Sequence, residues 1–318
     1  MTAVSEPTQP PRPVTGRGGR VRRTARAGCA PGSPRWVGLL YLAPGVIAYV
    51  LFVLAPLGNN LWLSFFNWDG ITTSTWAGLD NYSTVFHDSQ IRGAFYHSLV
   101  LIFFYSVLPV ILGLLLAATM SHMRVRGLAT FRAILFLPQV ISTVVVAITF
   151  QWLYADTGPL NQMLRAVGLG SVARGWLGDF DYALPAVGLI GTWISTGLCM
   201  VLLMAGVQRI PITLYEAARV DGCGAIREFF AITLPGLRNE LAVVLTITII
   251  AALRSFDIIY VASLGGPGDQ TLVPSLVIYR DAFRNNAVGL ASAIAIVLTV
   301  IILAVAFIVT RLVEDRAK

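Results

Sequence analysis

Five stretches of this chain run for 23 residues or more without a charged side chain, and no other feature limits the fold so strongly. They are 36–68 (33 residues), 93–123 (31), 133–155 (23), 182–208 (27) and 287–310 (24). A helix crosses the hydrocarbon core of a bilayer in about 20 residues at about 1.5 Å rise each. Each run is therefore long enough to span a membrane. A sixth stretch, 241–264, is apolar except for Arg254 and Asp257 and is counted as a span. In lipid the backbone must satisfy its own hydrogen bonds, so these runs are expected to be helices, and the alternation of a β-barrel strand is absent. The expected fold is all-α and integral to the lipid bilayer. Its six spans fall at about 38–57, 95–120, 134–154, 184–205, 241–262 and 288–310.

Composition agrees. Of 318 residues 56% are hydrophobic and only 12% charged, about half the charged share of soluble domains. The basic excess, 23 Lys+Arg against 16 Asp+Glu, suggests nucleic acid only until the positions are read. Seventeen basic residues lie in the segment before span one, the loops after spans two and four, and the C-terminal end, whereas five lie in the opposite loops. Basic residues stay in the cytoplasm during insertion, so both termini are expected to be cytoplasmic and nucleic-acid binding is set aside. Residues 1–35, rich in Pro, Gly and Arg, cannot bury enough apolar area to fold and are expected to form a disordered basic tail ahead of a membrane domain at 36–318. No apolar stretch within that tail reads as a signal peptide.

Three cysteines (Cys29, Cys199, Cys223) and three scattered histidines (His87, His97, His122) offer neither a disulfide framework nor a metal-ligand spacing. No metal site and no catalytic residue is assigned. No GxxxxGK[ST] phosphate-binding loop occurs.

The loop 207–239 between spans four and five is the most informative segment. Pro211 suits a first helical turn, 213–220 is a good helix former, and Gly222 is a natural stop. A second amphipathic stretch, 225–234, ends at Pro235. Within this loop Glu216-Ala217-Ala218, then Gly222, Ile232 and Leu234-Pro235, stand at the spacing of the EAA motif. The chain resembles the permeases of binding-protein-dependent ABC importers, in particular the first permease of the carbohydrate-uptake (maltose and glycerol-3-phosphate) branch. GLDNY (78–82), FRAILFLP (131–138), GPLN (158–161), SFDIIYV (255–261), GGPG (265–268) and SLVIYRDAF (275–283) extend the resemblance over about 36–313.

The resemblance implies the type I ABC importer permease fold in a bacterial plasma membrane. Its implied partners are a homologous second permease, an ATPase dimer that binds the ATP, and an extracytoplasmic solute-binding protein, with a sugar as substrate. It further implies that Glu216, Ala217, Ala218, Arg219, Asp221, Gly222, Leu234 and Pro235 couple the chain to the ATPase. Another polar solute such as a phosphorylated polyol is the alternative, followed by an ion-driven carrier. Arg254 and Asp257, three apart, are expected to share one face of span five. There they form either a structural ion pair or a polar wall of the sugar path. Trp193, Ser195 and Thr196 in span four are weaker candidates for that wall, core packing being the alternative.

Overall fold

The computed structural model describes residues 35–122 and 127–314. The basic tail, apart from Arg35, and the charged Arg124, Arg126, Arg316 and Lys318 lie outside the described residues. The chain divides after Leu54. The described part of the first unit is one helix, α1 (Arg35–Tyr49), closed by a π-helical turn over Val50–Leu54 in which no residue is buried.

The second unit opens with α2 (Ala55–Leu63) and a short hairpin, β1 (Phe66–Asn67) paired antiparallel with β2 (Thr75–Trp76), Phe66 opposite Trp76. There follow α3 (Asp80–His87), α4 (Ser89–Ile102) and α5 (Leu108–His122), with a π-helical turn joining the last two. Next come α6 (Leu128–Val140), α7 (Thr143–Leu153) and α8 (Pro159–Ala166), then α9 (Ala183–Val207) and α10 (Ile212–Val220). The chain continues through α11 (Ala225–Glu228), α12 (Leu234–Gly236), α13 (Arg238–Leu253), α14 (Asp257–Ala262), α15 (Pro274–Phe283) and α16 (Val288–Glu314).

Among the described residues five helices are long and apolar enough to cross a membrane, Leu40–Leu63, Ser89–Met120, Ala183–Val207, Arg238–Ala262 and Val288–Arg311, and the bent pair Leu128–Val140 and Thr143–Leu153 makes a sixth when counted as one span. The stretch 134–154, expected to be one span, is instead two helices bent by 96° between Val140 and Thr143. Ile141 and Ser142 adopt extended backbone there, and α6 carries Pro138 without breaking. Neither Pro nor Gly marks the bend, so the corner is set by what packs around it.

α9 is the most deeply buried of these helices. It lies along α5, α6 and the π-helical turn over Phe103–Val107. Small residues permit that approach, as they do between membrane helices generally. A Cβ on Gly191 would collide with the Tyr105 ring, and one on Gly197 with the Leu135 backbone carbonyl. Two apolar clusters result. One gathers Leu101, Val187, Ile190, Ile259, Leu276 and Ile294. The other gathers Ala117, Cys199, Met200, Leu203, Leu237 and Val244 toward the end that carries the 207–239 loop.

Buried asparagines tie down the loops at the opposite end. Asn81 Nδ2 donates to the carbonyls of Ser64 and Phe66, both at 2.9 Å. Asn161 Nδ2 donates to Ala155, Asp156 and Arg174 carbonyls while its Oδ1 accepts from Trp176 Nε1 at 2.9 Å. Paired polar groups of this kind hold irregular backbone that has no ladder of its own.

Candidate functional site

Two regions of the second unit carry polar chemistry: a cavity among the spans and the loop after α9.

The cavity measures about 540 Å³ and sits where two helices are interrupted. Gln139 and Thr143 flank the α6–α7 bend, while Arg254, Ser255, Phe256 and Asp257 form the gap between α13 and α14; all six line it. α13 ends at Leu253 with Arg254 as its cap, and α14 starts again at Asp257. The Ser275 hydroxyl donates to the Ser255 carbonyl at 2.8 Å, satisfying an acceptor the break sets free. Non-helical backbone at membrane depth is tolerated only where protein buries it or a wet cavity meets it. The Thr143 hydroxyl donates to Asp257 Oδ2 at 3.1 Å, so the two interruptions touch. Asp257 also lies in the first turn of α14, where the helix dipole favours an anion.

The break corrects the expectation for the charged pair. Arg254 and Asp257 do not share a face of one continuous helix, and no salt bridge joins them among the described residues. Both are exposed to the cavity instead. Ser195 also lines it, together with Tyr105 from the π-helical turn and Thr248 from α13. Among the described residues no atom completes a good hydrogen bond to the buried Tyr105 hydroxyl, although the Ser255 side chain lies nearby. Trp193 and Thr196 are not part of this lining. Trp193 turns outward, 45% exposed, with its ring 5.5 Å from Phe150. The Thr196 hydroxyl donates to the Thr192 carbonyl at 2.7 Å within α9. Tyr105, Gln139 and Thr143 were not singled out from the sequence, because nothing local to their runs distinguishes them from other polar residues inside spans.

If Arg254 and Asp257 were an ion pair, removing one alone would be worse than removing both. The unpaired geometry predicts the opposite order. Arg254→Ala and Asp257→Ala are each expected to reduce transport, and the double variant to fall below either. Solute uptake into proteoliposomes measures this, and recovery in the double variant would restore the ion pair.

At the other end of α9 the chain turns through Pro211, which caps α10 from just outside rather than occupying its first turn. α10 ends on Asp221 and Gly222, whose φ is +77°. Gly222 N donates to the Arg219 carbonyl at 3.1 Å and Cys223 N to the Ala218 carbonyl at 2.9 Å. This pair of bonds is the Schellman termination, and it wants glycine at the left-handed position. Arg219 binds Glu228 on α11 with both arms, Nε to Oε2 at 3.1 Å and Nη2 to Oε1 at 3.2 Å. Hydrogen bonding by Glu228 raises the Arg219 pKa above its ordinary value, so the clamp stays charged. The Tyr215 hydroxyl lies 3.1 Å from Thr233 Oγ1, a second tie between the halves of the loop.

Glu228 was missed in the sequence because a partner nine residues away across a turn follows no helical spacing. Tyr215 is buried beneath α10, while Glu216, Ala217 and Asp221 are exposed, as is Arg219 even though it is tied to the buried Glu228. Val220 (88%) and Ile226 (78%) are exposed with them, and Leu234 and Pro235 are half-buried beneath.

Residues 109–318 match the family described as binding-protein-dependent transport system inner membrane component. The chain is 39% identical over 272 residues to the probable ABC transporter permease protein YurN of Bacillus subtilis, covering 83% of this chain and 91% of that one. It is 34% identical over 272 residues to the trehalose/maltose transport system permease protein MalF of Thermococcus litoralis, covering 84% and 90%. Among solved structures it is similar to a chain of a bacterial ABC transporter that imports the acidic polysaccharide alginate. The TM-score is 0.76 at 25% identity, over 89% of this chain and 96% of that one. A structure of the alginate transporter in complex with its alginate pentasaccharide-bound periplasmic protein matches at a TM-score of 0.75 and 26% identity, over 89% and 96%.

Proposed function

The chain belongs to the binding-protein-dependent transport system inner membrane components, and from that premise we propose that it carries a sugar through the cavity between α6–α7 and α13–α14. It is a membrane-embedded permease subunit of an ABC importer, and the ATPase is a separate subunit. The single observation that carries the sugar reading is the cavity's lining. It offers the Ser195 and Ser255 hydroxyls, the Gln139 amide and the unpaired charges of Arg254 and Asp257. A sugar, all hydroxyl on its edges, is met by such convergent donors and acceptors. Helix interruptions at membrane depth are the usual place for a transported solute. Relatives named for trehalose/maltose and alginate support the same class over a phosphorylated polyol.

In this reading a solute-binding protein delivers the sugar from outside. A homologous second permease completes the path. An ATPase dimer, which holds the ATP, docks on α10 through Glu216, Ala217, Ala218, Asp221 and Gly222, with Leu234 and Pro235 supporting the helix from below. Arg219, itself exposed, clamps α10 to the buried Glu228 so that ATPase movement reaches the spans as a rigid-body shift. The cytoplasm is the α10 side, and both termini lie there.

The test of the transport reading is ATP-dependent uptake of radiolabelled sugar by proteoliposomes holding the assembled importer. Uptake driven by an ion gradient without ATP would overturn it. Orientation has its own test, in a background with the native cysteines replaced. A cysteine placed within 171–179 is expected to react with an impermeant thiol reagent added outside, and one within 224–228 to stay unlabelled. The reverse pattern would invert the topology.

A further inference from the structure

The cavity continues outward into a row of aromatic rings. Phe256, which lines it, stacks on Tyr260 with ring centroids 5.1 Å apart and planes 13° from parallel. Tyr279 meets both, 5.6 Å from Phe256 and 5.2 Å from Tyr260. Phe283 extends the row at 5.4 Å and is 74% exposed. Tyr260 lies on α14 with Phe256 at the non-helical cap before it, and Tyr279 and Phe283, four residues apart, lie on one face of α15. The Ser275 bond to Ser255 plants the start of α15 beside the helix break. Going up α15 from there, the row leaves the cavity and ends on the loop before α16, away from α10.

We propose that Phe256, Tyr260, Tyr279 and Phe283 form an aromatic track that guides the sugar between the outer surface and the cavity. The proposal rests on the reading of the cavity as a sugar path. Aromatic faces are electron-rich, and the C–H faces of a sugar ring present weakly positive hydrogens to them. The tyrosine hydroxyls add partners for sugar hydroxyls. No one ring binds strongly, which suits passage: a path needs sites favourable enough to enter and weak enough to leave. A core cluster would be fully buried, yet Phe256, Tyr260 and Tyr279 are half-buried and Phe283 is open. Aromatics that merely anchor a span stand round its perimeter at the lipid interface. These four instead touch one another in a line that begins at the cavity.

The experiment uses the importer with its partner chains in proteoliposomes. Radiolabelled glucose, trehalose, maltotriose and diacetylchitobiose serve as probes, and both uptake and ATP hydrolysis are measured. If the unaltered importer takes up none of them, the sugar reading falls and the track with it. For a sugar that is taken up, Tyr279→Leu and Phe283→Leu are each expected to lower the sugar transported per ATP hydrolysed by about tenfold, the worth of one aromatic contact of about 1.4 kcal/mol. Tyr279→Phe, which keeps the ring, is expected to restore most of the ratio. Loss of folded protein changes uptake and hydrolysis together and leaves the ratio alone, so an anchoring role would not move it. An unchanged ratio in both leucine variants would overturn the track while leaving the sugar reading intact.

Discussion

Glu216→Lys is expected to abolish uptake while the chain still enters the membrane in normal amount. Glu216 stands on the exposed side of α10, and its neighbour Arg219 is already committed to Glu228 at 3.1 and 3.2 Å. The Glu216 carboxylate therefore faces outward, among exposed apolar residues that include Val220. Reversing a charge buried in a protein interface costs about 2–5 kcal/mol, or roughly 30-fold to more than 1,000-fold in affinity. The lysine replaces no packing contact inside the chain, so the spans have no reason to misfold. Co-purification of the ATPase and its stimulation by the binding protein are the measurements. Normal stimulation in Glu216→Lys would end the assignment of α10 as the ATPase dock. Gly222→Pro should produce a similar uncoupling by a different route. Proline is held near φ −65° and donates no hydrogen bond, whereas Gly222 sits at φ +77° and donates to Arg219. Gly222→Asn, which tolerates the left-handed region, is expected to retain most activity.

Gly197→Leu is expected to remove folded protein altogether. A Cβ at position 197 would collide with the carbonyl of Leu135, so the backbone of α6 must move away from α9. Overpacking a well-packed core costs about 1–3 kcal/mol, occasionally more. A clash with backbone falls at the high end, because no side chain can rotate aside to relieve it. The measurement is the yield of monodisperse protein after detergent extraction, alongside Gly178→Leu as a control in the loop before α9, where the nearest atom to an added Cβ is 3.6 Å away. Gly197→Leu extracted at the yield of the control would mean that α6 and α9 are not packed at this point.

These two variants differ in how far the sequence alone foretells them. Glu216 through Gly222 is a local pattern: a helix-forming run with a glycine stop, and its caps and spacing are written in adjacent residues. Gly197 is one glycine among several in an apolar run, and only the opposing Leu135 carbonyl makes it indispensable. The same division runs through the cavity. Arg254 and Asp257 stand out in the sequence because charge inside an apolar run is costly. Yet their spacing suggested a shared helix face, and the chain breaks between them. Nothing in Ser255-Phe256 forbids a helix. The Ser275 hydroxyl, 20 residues on, supplies the partner that lets the helix stop there. Tyr105, Gln139 and Thr143 carry no local signal at all and reach the cavity only because α6 and the π-helical turn are folded against α9 and α7 against α14.

By itself the sequence determined that this chain lies in a membrane as helices, because uncharged runs of 23 to 33 residues have no other stable form. It also determined where α10 stops, since the Gly222 cap acts over three or four residues. Only the tertiary structure decided that 134–154 turns by 96° and that Arg254 and Asp257 face a cavity unpaired. It alone paired Arg219 with Glu228. Those outcomes depend on which distant backbone groups find partners and which helices pack closely. Such contacts join residues far apart in the chain, and no local periodicity records them.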